Sequence, residues 1–128
     1  MNRTIILAGT LLGALAVILG AFGAHGLEKL VDAHAIETFD TGVKYQMYHA
    51  LFLLILGNIK QLPEQNKRWI FYFVMIGTLL FSFSIYLLAT NSLTGFDFKT
   101  IAILTPVGGT FLILGWLLLA YRTFKDCK

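Results

Sequence analysis

The chain reads as an all-α membrane protein, a bundle of four transmembrane helices in one domain covering residues 1–128. Three observations predict this. Four stretches carry no Asp, Glu, Lys or Arg: Thr4 to Ala24, Tyr45 to Ile59, Trp69 to Phe96, and Thr100 to Tyr121. A bilayer core of about 30 Å needs roughly 20 apolar residues per helix. Three stretches reach that length, and the second does so by borrowing residues before Lys44. The chain is also 57% hydrophobic and 13% charged, about half the charge of a soluble domain. Finally, the first, third and fourth stretches are apolar on all sides, whereas a soluble bundle shows one polar face per helix. The expected spans are about 4–24, 40–59, 69–89 and 100–121.

Charge placement predicts orientation. Arg3, Lys60, Lys67, Arg68, Arg122, Lys125 and Lys128 flank the spans on one side, and Lys29, Lys44 and Lys99 on the other. Positive residues in short loops stay cytoplasmic, so both termini and the 60–68 loop should lie inside. The same asymmetry argues against a basic nucleic-acid surface, although the net charge is +3.

The first helix should run from Thr4 to Ala24. Its apolar run exceeds the 7–15 residues of a signal peptide. Gly9, Gly13, Gly20 and Gly23 give it small residues at helical spacing, the pattern that lets two membrane helices approach closely. The sequence leaves open whether the partner is another helix or another copy. After a turn and a short amphipathic extension on the outer side, Asp32 can cap a new helix. That helix should run from Ala33 to Ile59 and bend at Gly42, with Lys44 and Lys60 snorkelling from opposite ends. Pro63 marks a tight turn. The third helix runs from Trp69 to Ala89, and residues 90–99 form an outer loop. The fourth starts near Thr100. Pro106, Gly108 and Gly109 fall in its first two turns, where the proline should kink it or free a carbonyl. Trp69, Tyr72 and Trp116 suit membrane interfaces. The single cysteine, Cys127, allows no intramolecular disulfide and reads as a reduced thiol on the inner tail.

Two segments repeat. Gly9-Thr10-Leu11-Leu12 recurs as Gly77-Thr78-Leu79-Leu80, and Phe52 to Gly57 resembles Phe111 to Gly115. Two parallel hairpins would give this order.

Polar side chains within a membrane mark function by default. On the second helix Glu37, Asp40, Thr41, Lys44, Tyr45, Tyr48 and His49 form a stripe at i, i+3, i+4, i+7. Glu37, Asp40 and Lys44 make its structural part, with Asp40 and Lys44 spaced for an ion pair. Such a stripe should face the bundle or an aqueous vestibule. With the expected topology, Ser84, Tyr86 and Thr105 join it toward the outer leaflet, as does His25 at the end of the first helix. The candidate ligand pocket is therefore His25, Tyr45, Tyr48, His49, Ser84 and Tyr86; the alternative is that these bonds only hold helices together. Thr10 and Thr78 lie apart and should satisfy their own helix backbones.

No cofactor or metal is expected. His25 and His49 lie at different depths, His34 lies further out, and a shared haem plane needs matched ones. No cysteine or carboxylate accompanies His49 at zinc-ligand spacing. The apolar stretches contain no carboxylate for proton-coupled export, no nucleophile–base pair and no phosphate loop, so no enzyme is expected.

Four blocks carry a family resemblance. They are Gly20-Ala21-Phe22-Gly23-Ala24-His25-Gly26-Leu27; the run Glu37 to Leu51 around Gly42 and His49; Leu80-Phe81-Ser82-Phe83-Ser84-Ile85-Tyr86; and Thr105 to Thr110 with Gly115 and Trp116. In order and spacing the chain resembles the domain of unknown function 423 family. Phe83 stands where that family has glycine, which implies a lost close contact or a filled pocket. The resemblance implies a four-span protein of the bacterial cytoplasmic membrane and no established activity. The expected role is an accessory or structural component, or a holder of lipid or a small ligand; the alternative is a small oligomeric transporter or channel. Expected partners are the lipid bilayer and a membrane protein or further copies in a homo-oligomer.

Overall fold

The structure, a computed structural model, describes residues 2–93 and 102–127. Four helices follow in chain order: α1 (Asn2–His25), α2 (Ala33–Asn58), α3 (Glu64–Ala89) and α4 (Leu104–Asp126). Short 3₁₀ turns at Leu27–Lys29 and Asn91–Leu93 follow α1 and α3, and there is no strand among the described residues. The second outer loop and the expected helix start near residue 100 lie largely outside the described residues.

Among the described residues three helices, α1, α3 and α4, are long and apolar enough to cross a membrane. α2 has the length, at 26 residues, but its first half carries Glu37, Asp40 and Lys44. It starts where expected: the Asp32 carboxylate accepts the Ala35 N–H at 2.8 Å, filling one of the donors a helix start leaves open. The expected amphipathic extension is the 3₁₀ turn, and its Leu27 is fully buried against Phe39, Tyr86 and Ala89.

Each helix packs on its chain neighbour: α1 on α2, α2 on α3, α3 on α4, with no comparable seam between α1 and α4. Glycine explains how close they come. Gly9 faces the carbonyl of Ala50 and the side chain of Leu53; Gly13, Gly20 and Gly23 face Ala50, Val43 and Phe39. The small-residue stripe of α1 is thus consumed within the chain, against α2. Across the other hairpin, a Cβ at Gly108 would run into the backbone of Gly77, Leu80 and Phe81.

Two expectations about bends are corrected. α2 runs unbroken through Gly42. The glycine is there for space: Tyr86 and Ile85 occupy the volume a Cβ would take. Pro106 does not kink α4, because the helix begins at Leu104 and the proline sits in its first turn, where a missing N–H breaks no intrahelical bond. The carbonyl it leaves open, that of Ala102, accepts the Thr105 N–H at 3.2 Å.

At the end carrying both termini, polar contacts tie α3 to α1 and α4. Lys67, nearly fully buried, donates to Asn2 Oδ1 at 3.1 Å. Asn66 donates to Asp126 Oδ2 at 2.6 Å. Cys127 is half-buried against the main core.

Candidate functional site

The polar side chains do not meet in one pocket. They form three connected groups, and His25 joins none of them; it lies exposed at the end of α1.

The first group centres on His49, which is 4% exposed. Its Nδ1 lies 2.7 Å from the Tyr45 carbonyl. A carbonyl only accepts, so Nδ1 carries the hydrogen. The indole N–H of Trp116 points at Nε2, 3.0 Å away. Indole only donates, so Nε2 keeps its lone pair. Both ring nitrogens are committed and the imidazole is the neutral Nδ1–H tautomer. Aromatic rings close around it: Tyr45 stacks at 6.4 Å, Phe52 lies tilted at 6.3 Å and Trp116 edge-on at 6.0 Å. Tyr45 also touches Phe81 at 4.9 Å and Tyr48 at 5.6 Å. A groove of about 290 Å³ opens here, walled by Tyr45, His49, Phe81, Leu112, Ile113 and Trp116, with Gly109 at its side.

The second group is a buried relay across three helices. Tyr86 donates its hydroxyl to Gln46 Oε1 at 2.6 Å. Gln46, fully buried, donates its amide to the Leu12 carbonyl at 2.8 Å. One turn away on α3, Ser82 donates to the Gly42 carbonyl at 2.9 Å. The third group joins α3 to α4. Ser84 gives its hydrogen to the Phe81 carbonyl at 2.9 Å, so Thr105 is the donor in their 2.6 Å contact.

The stripe on α2 does not turn into the packed interior. Glu37, Asp40, Thr41, Lys44, Tyr45 and Tyr48 are exposed, and only His49 is buried. The buried face of α2 is Phe39, Gly42, Gln46, His49, Ala50 and Leu53, because small residues there admit the neighbouring backbones. Asp40 and Lys44 do pair, at 3.1 Å, with both side chains more than half exposed. Thr10 bonds its own helix at the Leu7 carbonyl, 2.8 Å away. Thr78 differs from expectation: its buried hydroxyl has no partner among the described residues.

Sequence reasoning passed over Gln46 because it lies off the stripe that runs from Glu37 to His49. An amide in an apolar run is itself a signal, since it cannot be left unbonded in hydrocarbon. Trp116 was read as an interfacial aromatic; its N–H instead holds His49. Phe83 fills its place rather than leaving a gap, packing edge-on against Tyr86 at 5.4 Å.

The profile of a family described as "Protein of unknown function (DUF423)" matches residues 19–109. The chain belongs to the DUF423 family. Its relatives include the UPF0382 membrane protein of Staphylococcus saprophyticus, 38% identical over 96% of this chain and 98% of the relative. The UPF0382 membrane protein of Haemophilus influenzae is 39% identical over 89% of this chain and 88% of its own length. No solved structure matches. The DUF423 segment takes in His49, Gln46, Ser84 and Tyr86 but ends before Trp116, so the indole that fixes the imidazole lies beyond the matched region.

Proposed function

We propose that this DUF423 protein is a non-enzymatic, four-span component of the bacterial cytoplasmic membrane, with both termini inside, that holds an apolar lipid-like molecule in the groove beside His49. The fourth span is α2. It runs antiparallel between α1 and α3 over the same depth as α1, from Phe39 beside Gly23 to Gly57 beside Ile6. At ~1.5 Å per residue it is long enough to cross.

One observation carries the ligand reading: His49 spends both ring nitrogens on protein partners. It therefore offers no free lone pair for a metal and no vacant base for a reaction. What it does is fix the indole of Trp116 and, through it, one wall of the groove. A preorganised, mostly apolar wall suits binding. The volume, about 290 Å³, is just below the range of whole drug-sized sites, so the groove fits one chain or ring of a larger molecule.

Brominated lipid tests this. In a Trp69→Phe background Trp116 is the sole tryptophan. Lipid brominated near mid-chain should quench its fluorescence strongly. Gly109→Leu should place its side chain in the groove and relieve the quenching; the nearest atom to its Cβ would be a Phe81 ring carbon at 3.6 Å, an ordinary contact. Unchanged quenching in a folded Gly109→Leu protein would remove the reading.

A further inference from the structure

A second groove lies between α1 and α2 at the end bearing His25, away from the Trp116 wall. Its volume is about 210 Å³, with Gly20, Gly23, Phe39 and Val43 beneath and Glu37 and Asp40 at the rim. The groove runs beside the Gly20–Val43 and Gly23–Phe39 contacts, and the buried Phe39 ring backs it. The rim carboxylates differ. Asp40 is held by Lys44 at 3.1 Å. The carboxylate of Glu37 meets no cation among the described residues. By sequence, the segments on this side hold Glu28, Asp32, Glu37, Asp40 and Asp97 against Lys29, Lys44 and Lys99, so this end attracts cations.

The occupant must match both features. A free metal ion leaves the apolar floor exposed, and no group of three His, Cys, Asp or Glu gathers among the described residues. An amphiphile with one apolar chain and a hydrogen-bonding cation fits, and at the end of a membrane-crossing helix that amphiphile is a lipid. We propose that this groove binds a glycerophospholipid with a primary ammonium headgroup, one acyl chain lying over Gly20 and Gly23 and the ammonium against Glu37. An ammonium donating to a carboxylate makes a charge-assisted hydrogen bond, stronger than a neutral one.

Native mass spectrometry of the full chain in detergent, with equimolar phosphatidylethanolamine, phosphatidylcholine and phosphatidylglycerol, decides it. The chain should retain phosphatidylethanolamine about tenfold over both others, a difference of ~1.4 kcal/mol. Glu37→Gln should erase that preference. Gly20→Leu should lower retention of the lipid itself by placing an isobutyl group in the groove, its Cβ 3.4 Å from Val43. Equal retention of phosphatidylcholine or phosphatidylglycerol by the unaltered chain overturns the proposal, as does a preference that survives Glu37→Gln. Glu37 is exposed, so that variant folds even where Gly20→Leu does not. Gly109→Leu should keep the preference, which separates this groove from the one beside His49.

Discussion

The two hairpins, α1–α2 and α3–α4, share a packing skeleton and differ in what they hang on it. Gly9 in α1 meets Leu53 of α2; Gly77 in α3 meets Leu112 of α4. Gly57 faces Ile6, and Gly115 faces Val74. In each case the apolar partner stands three residues before the hairpin's first glycine. Each hairpin also carries one hydrogen bond from its second helix: Gln46 to the Leu12 carbonyl, and Thr105 to Ser84. The repeat visible in the sequence is thus a repeat of contacts. The difference lies in α2, which has three buried residues that bond to the other hairpin. Gln46 accepts from Tyr86, Gly42 accepts from Ser82, and His49 accepts from Trp116. Close packing builds each hairpin; polar contacts, three from α2 and the Lys67–Asn2 bond from α3 to α1, join the two. Without a hydrophobic effect between helices inside a bilayer, those are the available kinds of adhesion.

The sharpest break separates tight glycines from loose ones. Gly108→Ala should cost about 3 kcal/mol, the upper part of the range for overpacking, because its Cβ meets backbone that cannot move aside. Gly13→Ala should be neutral or stabilising by up to ~1 kcal/mol through helix propensity, since its Cβ would sit 3.7 Å from Ala50. Thermal unfolding in detergent followed by circular dichroism measures both. Equal costs would show that the contact at Gly108 is no tighter than the one at Gly13.

The relay between hairpins comes next. Gln46→Leu strands the Tyr86 hydroxyl and loses the bond to Leu12, for a cost of roughly 1–3 kcal/mol. Tyr86→Phe alone should cost less. The double variant should be less destabilised than the sum of the two, since both changes remove the same bond. Strict additivity would mean the relay does not couple the hairpins.

Much of this was legible in the sequence. Helix number, the Asp32 cap, the Asp40–Lys44 pair and the repeated blocks follow from local spacing. The partners of buried polar groups do not, because they depend on which face of α2 turns inward. The stripe from Glu37 to His49 has helical periodicity, yet the opposite face packs, since Gly42 and Ala50 admit neighbouring helices and Lys44 and Tyr48 do not. Periodicity finds a face; side-chain volume decides which face is buried. Trp116 was unreadable for the same reason: its role needs α4 to lie within reach of α2, and no local signal encodes that.

A smaller effect tests the seam itself. Thr78 lies one turn from Ser82 on α3, buried and without a hydrogen bond among the described residues. Thr78→Val keeps the shape and removes the unpaired hydroxyl, which should leave stability unchanged or raise it by up to ~1 kcal/mol. Destabilisation beyond ~1 kcal/mol would mean that the hydroxyl is bonded in the membrane and that the seam holds one more polar contact.

The smallest effect belongs to the ion pair on the exposed face. Asp40 and Lys44 meet at 3.1 Å, but their side chains are 54% and 61% exposed. Solvent screens such a pair, and ordering two side chains offsets most of its attraction. Asp40→Asn should therefore leave the melting temperature of the purified protein unchanged, and raising the salt concentration should not separate variant from parent. A clear fall in melting temperature would place the pair inside a low-dielectric contact with another molecule. α2 would then be adhesive on both faces, and the polar stripe would be half of an interface.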